Sequence, residues 1–320
     1  MKLLSSLVAG TAGMLALMSS TAVVSAQDSA RKCNGAAELC GRRYDQVAYA
    51  TTHNAFSMHL PNPAGNQHRP ISRQLSDGIR GFMVDVHAFF PDFKNFGPMR
   101  LCHVSCFLLD AGTFIDTLNV FKAFLDTHPN EVVTIFIENY DNFTPEKIAA
   151  VFKQANLDKM VWTQPAGADA PEWPTLNEMI DQNKRLVVML ESGANTASVP
   201  WLHDSFSMYA ENNYHVERKQ DWPCTITRPT EGGQSRKLLN INHFKYFGLK
   251  LFGFEIAIPD VLRADYDNTL DQFHKHLDTC KAVGTTANRI PNYISVDFYE
   301  KGDIFQIVDE INGVKAVYNP

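Results

Sequence analysis

Two histidines stand where strand-like runs give way to polar residues. His53 lies near the end of VAYATTHNA (from Val47) and is followed by Asn54, and His103 lies in LCHVSC between Cys102 and Cys106. An imidazole titrates near neutral pH, so one ring can take a proton while another gives one. Two rings placed about one phosphodiester suit its hydrolysis or transesterification. One removes the proton of an attacking hydroxyl, and the other protonates the leaving oxygen. A bridge between Cys102 and Cys106 would stiffen the loop that presents His103, as a positioned catalytic group requires. Asn54, Asp85 and Glu138 add oxygen donors at the ends of three strand-like runs. Hard cations such as Ca2+ or Mg2+ prefer such donors, and a cation there would offset charge developing on phosphoryl oxygens. The competing reading pairs Asp85 and Glu138 with Arg80 or with lysines.

These residues need elements to position them. VAYATTHNA, IRGFMVDVH (from Ile79), EVVTIFIENY (from Glu131), RLVVMLES (from Arg185), SRKLLNINHF (from Ser235) and PNYISVDFY (from Pro291) read as strands. Between them lie runs of helical character. PISRQLSDG has Pro70 at its start and Gly78 at its stop. Gly112–His128 repeats Phe114, Leu118, Phe121 and Leu125 on one face. Pro145–Ala155, WPTLNEMIDQN, Asn268–Ala282 and Gly302–Asn312 complete the set. Strand and helix alternate, and the strands are apolar on both faces, so a parallel α/β architecture is expected. The polar residues collect at the strands' C-terminal ends: His53, Asp85, His87, Glu138, Glu191, Asn242 and Asp297. That end carries the site in a TIM-type (β/α)8 barrel. A doubly wound sheet would need a glycine-rich phosphate turn, and neither GxGxxG nor GxxxxGK[ST] occurs. A barrel, with irregularities, is the expected fold.

The 320 residues carry a formal charge of −6, which argues against nucleic acid as a partner. Met1–Ala26 has Lys2, an apolar stretch and small residues at Val24-Ser25-Ala26, the features of a cleaved secretory signal. Residues 27–320 then form a single barrel domain of a secreted, extracellular protein. All six cysteines follow that segment, and an even count in a secreted chain reads as disulfides. Cys33–Cys40 and Cys102–Cys106 would close short loops, with Cys224–Cys280 as the long-range bridge. Phe89, Phe90, Phe93 and Phe96 lie in HAFFPDFKNFGPM. They are expected to pack over the barrel mouth, the other possibility being transient contact with a membrane surface.

THNAF, IRGFMVDVH, LCHVSC, HPNEVVTIFIENY, the WP…NKRLVV stretch and NYISVDFY resemble, in order, the X region of phosphatidylinositol-specific phospholipase C. The resemblance is greatest to the secreted PLC-like phosphodiesterases of plants, fungi and oomycetes, and it spans roughly Cys33 to Gly313. It implies a TIM-type barrel and a two-histidine mechanism on a phospholipid or inositol-phosphate substrate. His53 then resembles the base that deprotonates the inositol 2-hydroxyl, and His103 the acid that protonates the diacylglycerol oxygen. Asn54, Asp85 and Glu138 match the ligands of the calcium-dependent enzymes. Asp297, Tyr299 and His87 would meet the substrate, with Asp297 alternatively orienting His53. Met83 stands where those enzymes carry a further carboxylate, and Asp85 stands where the metal-independent bacterial enzymes carry an arginine. A different reading of the same barrel is a weakened enzyme that binds lipids or cell surfaces. Magnesium-dependent phosphodiesterases with a Glu and an Asp close together on the second strand fit less well, because IRGFMVDVH offers Asp85 alone.

Overall fold

The β-branched run Val133–Asn139 is buried on both faces and forms the third of eight parallel strands in a computed structural model of the chain. The structure describes residues 31–60, 62–90, 97–167, 170–251, 254–315 and 317–318, which belong to one compact unit. The proposed signal and Phe93 and Phe96 lie outside the described residues.

In chain order the parallel strands are Tyr49–Thr52, Gly81–His87, Val133–Asn139, Leu186–Leu190, Leu202–Asp204, Tyr209–Asn212, Leu238–Asn242 and Tyr293–Val296. Apart from the fifth and the sixth, consecutive strands pair, and the eighth returns to pair with the first, Tyr293 beside Tyr49. The order is that of a (β/α)8 barrel with one irregularity. Among the described residues no ladder joins the fifth strand to the sixth, and Ile226–Arg228 pairs antiparallel with the sixth instead. The fifth and sixth strands are three and four residues long and separated by the short helix Ser205–Met208. Such short polar segments carry little periodic signal, and they are absent from the sequence expectations.

Alternation sorts each strand's side chains into two layers. Phe82, Val84, Val86, Ile135 and Ile137 pack outward against helices such as Phe114–Thr127, in the larger cluster. Met83, Phe136, Val187, Met189, Tyr209 and Tyr293 fill the barrel interior. The N-terminal segment stops the bottom: Tyr44 stacks on Trp173, and its hydroxyl hydrogen-bonds those of Thr134 and Tyr293. An open interior is thereby left to the opposite end. Gly78 takes φ 112° at the end of helix Ile71–Asp77, a conformation that costs glycine little, and so turns the chain into the second strand. All three expected disulfides are present, Cys33–Cys40, Cys102–Cys106 and Cys224–Cys280.

Candidate active site

Interior positions at the C-terminal ends of the strands fall on His53, Asp85, Glu138, Glu191, Glu211, Asn242 and Asp297, because every second residue of a strand faces the same way. His53 sits just past the first strand. Asn54 follows with φ 44°, a left-handed turn that asparagine tolerates, and reverses the chain beneath it. The His53 ring is buried and lies flat on Phe244, with centroids 4.0 Å apart. Its Nδ1 is 2.9 Å from Asp297 Oδ1. A carboxylate there accepts the Nδ1 proton and fixes the tautomer in which Nε2 carries a lone pair. Asn66 Nδ2 donates to the same Asp297 oxygen at 3.0 Å, and Gln67 Nε2 donates to the His53 carbonyl at 2.8 Å.

His103 sits in the loop closed by Cys102–Cys106. Val104, next to it, has φ 64°, which is strained for a β-branched residue. Val104 is exposed at this turn while His103 is half-buried. His103 Nδ1 donates to the Ala64 carbonyl at 2.8 Å, and so its Nε2 is also without a hydrogen-bond partner among the described residues. Burial pushes the His103 imidazole down to about 4, and the nearby rings of His53 and His87 add to the effect. One stretch, Ala64–Gln67, thus braces both histidines.

The carboxylates form a frustrated group. Asp85 lies beside Glu138 in the ladder between the second and third strands. Burial, then Glu138 and Glu191, hold the Asp85 carboxyl well above its usual range, and its Oδ1 is buried without a hydrogen-bond partner. Burial likewise raises Glu138, which accepts from the Tyr140 hydroxyl, and raises Glu191 to about 7. Arg228 enters from the extra antiparallel strand and pairs with both Glu191 and Glu211. Asn240 and Asn242 donate to the other Glu211 oxygen at 2.9 and 3.2 Å. A cavity of about 20 Å3, room for a single water or ion, is lined by His53, Glu138, Glu191, Glu211, Arg228 and Phe244.

Of the candidate residues, His53 and Asp297 are joined directly, and Asp85 and Glu138 are neighbours. Asn54 is buried at the turn beside His53. His87 stacks on Tyr140 at 4.6 Å and faces Asp141 at 3.6 Å. Tyr299 corrects its expectation: it is buried in the outer core, and its hydroxyl donates to Asp77 at 2.7 Å, so it does not reach the mouth. Phe298, with φ 50°, ends the alternation that would have kept Tyr299 on the face of Asp297. Phe89 and Phe90 are exposed and meet edge to face, with Phe107 beside them. Asn66, Phe244, Glu211 and Arg228 had no assigned role in the sequence. Asn66 lies in a Pro/Gly/Asn loop, and Arg228 on a three-residue strand.

Oxygen donors and the orphaned Asp85 Oδ1 suit a hard cation. Among the described residues, one group of three His, Cys, Asp or Glu ligand atoms lies within 4.8 Å of one another: Cys224, His276 and Cys280. Its sulfurs are bonded to each other, so it offers no thiolate.

The PI-PLC X 1 family model matches residues 39–312. A PI-PLC X domain-containing protein of Arthroderma benhamiae is 32% identical over 94% of this chain and 95% of its own length. A second Arthroderma benhamiae protein, described as an uncharacterized secreted protein, is 30% identical over 89% of this chain and 64% of its own. A PI-PLC X domain-containing protein of Arabidopsis thaliana is 30% identical over 85% of this chain and 63% of its own. The chain therefore spans less than two thirds of the last two. The phosphatidylinositol-specific phospholipase C of Listeria monocytogenes shares the fold, with a TM-score of 0.53 and 16% identity over 86% of this chain and 94% of that one. By the family match and the relatives, this chain belongs to the PI-PLC X family.

Proposed function

We propose that the protein is a secreted phospholipase C-like phosphodiesterase that cleaves a phosphoinositide by paired general base and general acid catalysis. The carrying observation is that His53 and His103 each spend Nδ1 on a fixed acceptor, Asp297 Oδ1 and the Ala64 carbonyl, and so keep Nε2 for the reaction. His53 Nε2 takes the proton of the inositol 2-hydroxyl, whose oxygen attacks phosphorus. The bond from phosphorus to the glycerol oxygen breaks, and His103 Nε2 gives that oxygen a proton. The products are a cyclic inositol phosphate and diacylglycerol. His103 is neutral in the free protein at pH 7, and it gains its proton from solvent when the anionic phosphodiester binds beside it.

Asp85 and Glu138, neighbours in the ladder between the second and third strands, would with Asn54 hold Ca2+ or Mg2+. Such a cation offsets charge on the phosphoryl oxygens when bound. Three disulfides fit an oxidising, extracellular compartment.

The test is incubation with phosphatidylinositol vesicles and detection of cyclic inositol phosphate. His53→Ala and His103→Ala are each expected to lower turnover by about 10²–10⁴-fold. Unchanged turnover in both variants overturns the mechanism. Vesicle binding by the wild type without product favours the lipid-binding barrel instead.

A further inference from the structure

Ser57 Oγ lies 3.4 Å from His103 Nδ1, and the chain neighbours of Ser57, Phe56 and Met58, line an apolar groove of about 510 Å3. Leu60, Leu108, Leu109 and Val120 form much of its remaining surface. Phe56 and Leu109 are buried in the floor, while Leu60 and Leu108 stand exposed at the lip. The walls are tied together and to His103. Asn62 Nδ2 donates to the Leu108 carbonyl at 2.6 Å, and the His103 N–H donates to the Leu109 carbonyl at 3.1 Å. The segments that hold His103 therefore also build the groove. No Lys, Arg or His lines it, and its acid, Asp110, is paired with Arg100. A volume of this size is in the range of small-molecule sites, and an apolar ligand would leave no buried charge unpaired.

We propose that this groove binds one acyl chain of the leaving group, the diacylglycerol half of the lipid. The inference rests on the reading of His103 as the proton donor. The oxygen that His103 protonates must come within hydrogen-bond reach of its Nε2. The glycerol attached to that oxygen then emerges beside the His103 loop, and the surface it meets is apolar. Val104, Phe107 and Leu108 are exposed on that loop, and Leu108 lines the groove together with Leu60. Each methylene that leaves water for the groove strengthens binding about fourfold, until the floor is reached. The substrate is thus recognised at both ends: the polyol in the polar mouth, one hydrocarbon chain in the groove.

The test uses water-soluble inositol phosphodiesters with n-alkyl leaving groups of increasing length, below their micelle concentrations. In the wild type kcat/KM rises about fourfold per methylene over the first several carbons. Leu60→Asp and Leu108→Asp flatten that rise and leave the rate on the methyl ester unchanged, which also reports that they fold. A flat series in a wild type that turns over the methyl ester overturns the groove and leaves the phosphodiesterase reading intact. Turnover of no member sinks that reading, and a calorimetric titration with monooctanoylglycerol then judges the groove alone. Binding that weakens tenfold or more in the variants supports it, and no binding, or binding equal in wild type and variants, overturns it. Octanoate is expected to bind more weakly than monooctanoylglycerol. Equal or tighter binding of octanoate would overturn the assignment to a neutral glyceride.

Discussion

His53 Nδ1 and Asp297 Oδ1 are 2.9 Å apart, although 244 positions separate them in the chain. The eighth strand pairs with the first and so carries Asp297 to the ring. Asp297→Asn keeps the shape and removes the charge, and its amide can present the wrong group to Nδ1. The expected loss in kcat is about 10²–10⁴-fold, with a smaller change in KM, as for a base held in the wrong tautomer. Steady-state kinetics on a soluble phosphodiester checks it, and an unchanged kcat contradicts the orienting role.

Stability should respond to pH through two opposed sets of buried groups. Burial lowers His103 and His203 to about 4 and His243 to about 3, from 6.5. Their contribution is present above pH 6.5 and is lost as pH falls towards those values, because the unfolded chain then binds more protons. Asp85, Glu138 and Glu191 are raised, Glu191 from 4.5 to about 7. Their contribution is present below the unfolded values and is lost as pH rises through the raised ones. Between pH 7 and about 4 the two sets offset each other, and below that His243 and His276, the histidines held lowest, still act. In chelator the melting temperature should stay nearly level down to about pH 4 and then fall. Glu191→Gln removes one opposing group and should start the decline earlier. A level curve down to pH 3 contradicts this account.

Arg228 is the internal counter-ion of the mouth. Glu211 is almost wholly buried, and its pairing with Arg228 is what makes its charge tolerable there. Arg228→Met leaves that carboxylate uncompensated and should cost about 3–5 kcal/mol. Adding Glu211→Gln should recover part of the loss. Denaturant unfolding of the single and double variants measures both, and a single variant as stable as wild type shows the pair to be dispensable.

Divalent binding should release protons. The carboxyls of Asp85 and Glu138 are held above their ordinary values, so a cation must displace protons from them at mildly acidic pH. Titration with Ca2+ and Mg2+ at pH 6, in buffers of different ionisation enthalpy, should show proton release and affinity that rises with pH. Asp85→Asn should weaken the binding markedly. Absence of heat and of any melting shift at millimolar cation contradicts the ligand set.

The sequence by itself determined the strand–helix rhythm and the end of the barrel at which polar and ionisable side chains collect, those of His53 and His103 among them. Those features follow from periodicity and from the residue types at strand ends, both local properties of the chain. Cysteine spacing also sufficed for the disulfides, since two of the loops are short. Only the tertiary structure decided which groups meet. Arg228 and Glu211 lie on segments of three and four residues, too short for a period to show. Asn66 reaches Asp297 from an irregular loop. Tyr299 would share the face of Asp297 if the strand continued, but one left-handed residue, Phe298, turns it into the outer core. Alternation along a strand says which face a side chain takes. Which partner waits there depends on closing the barrel, a long-range event that no local pattern encodes.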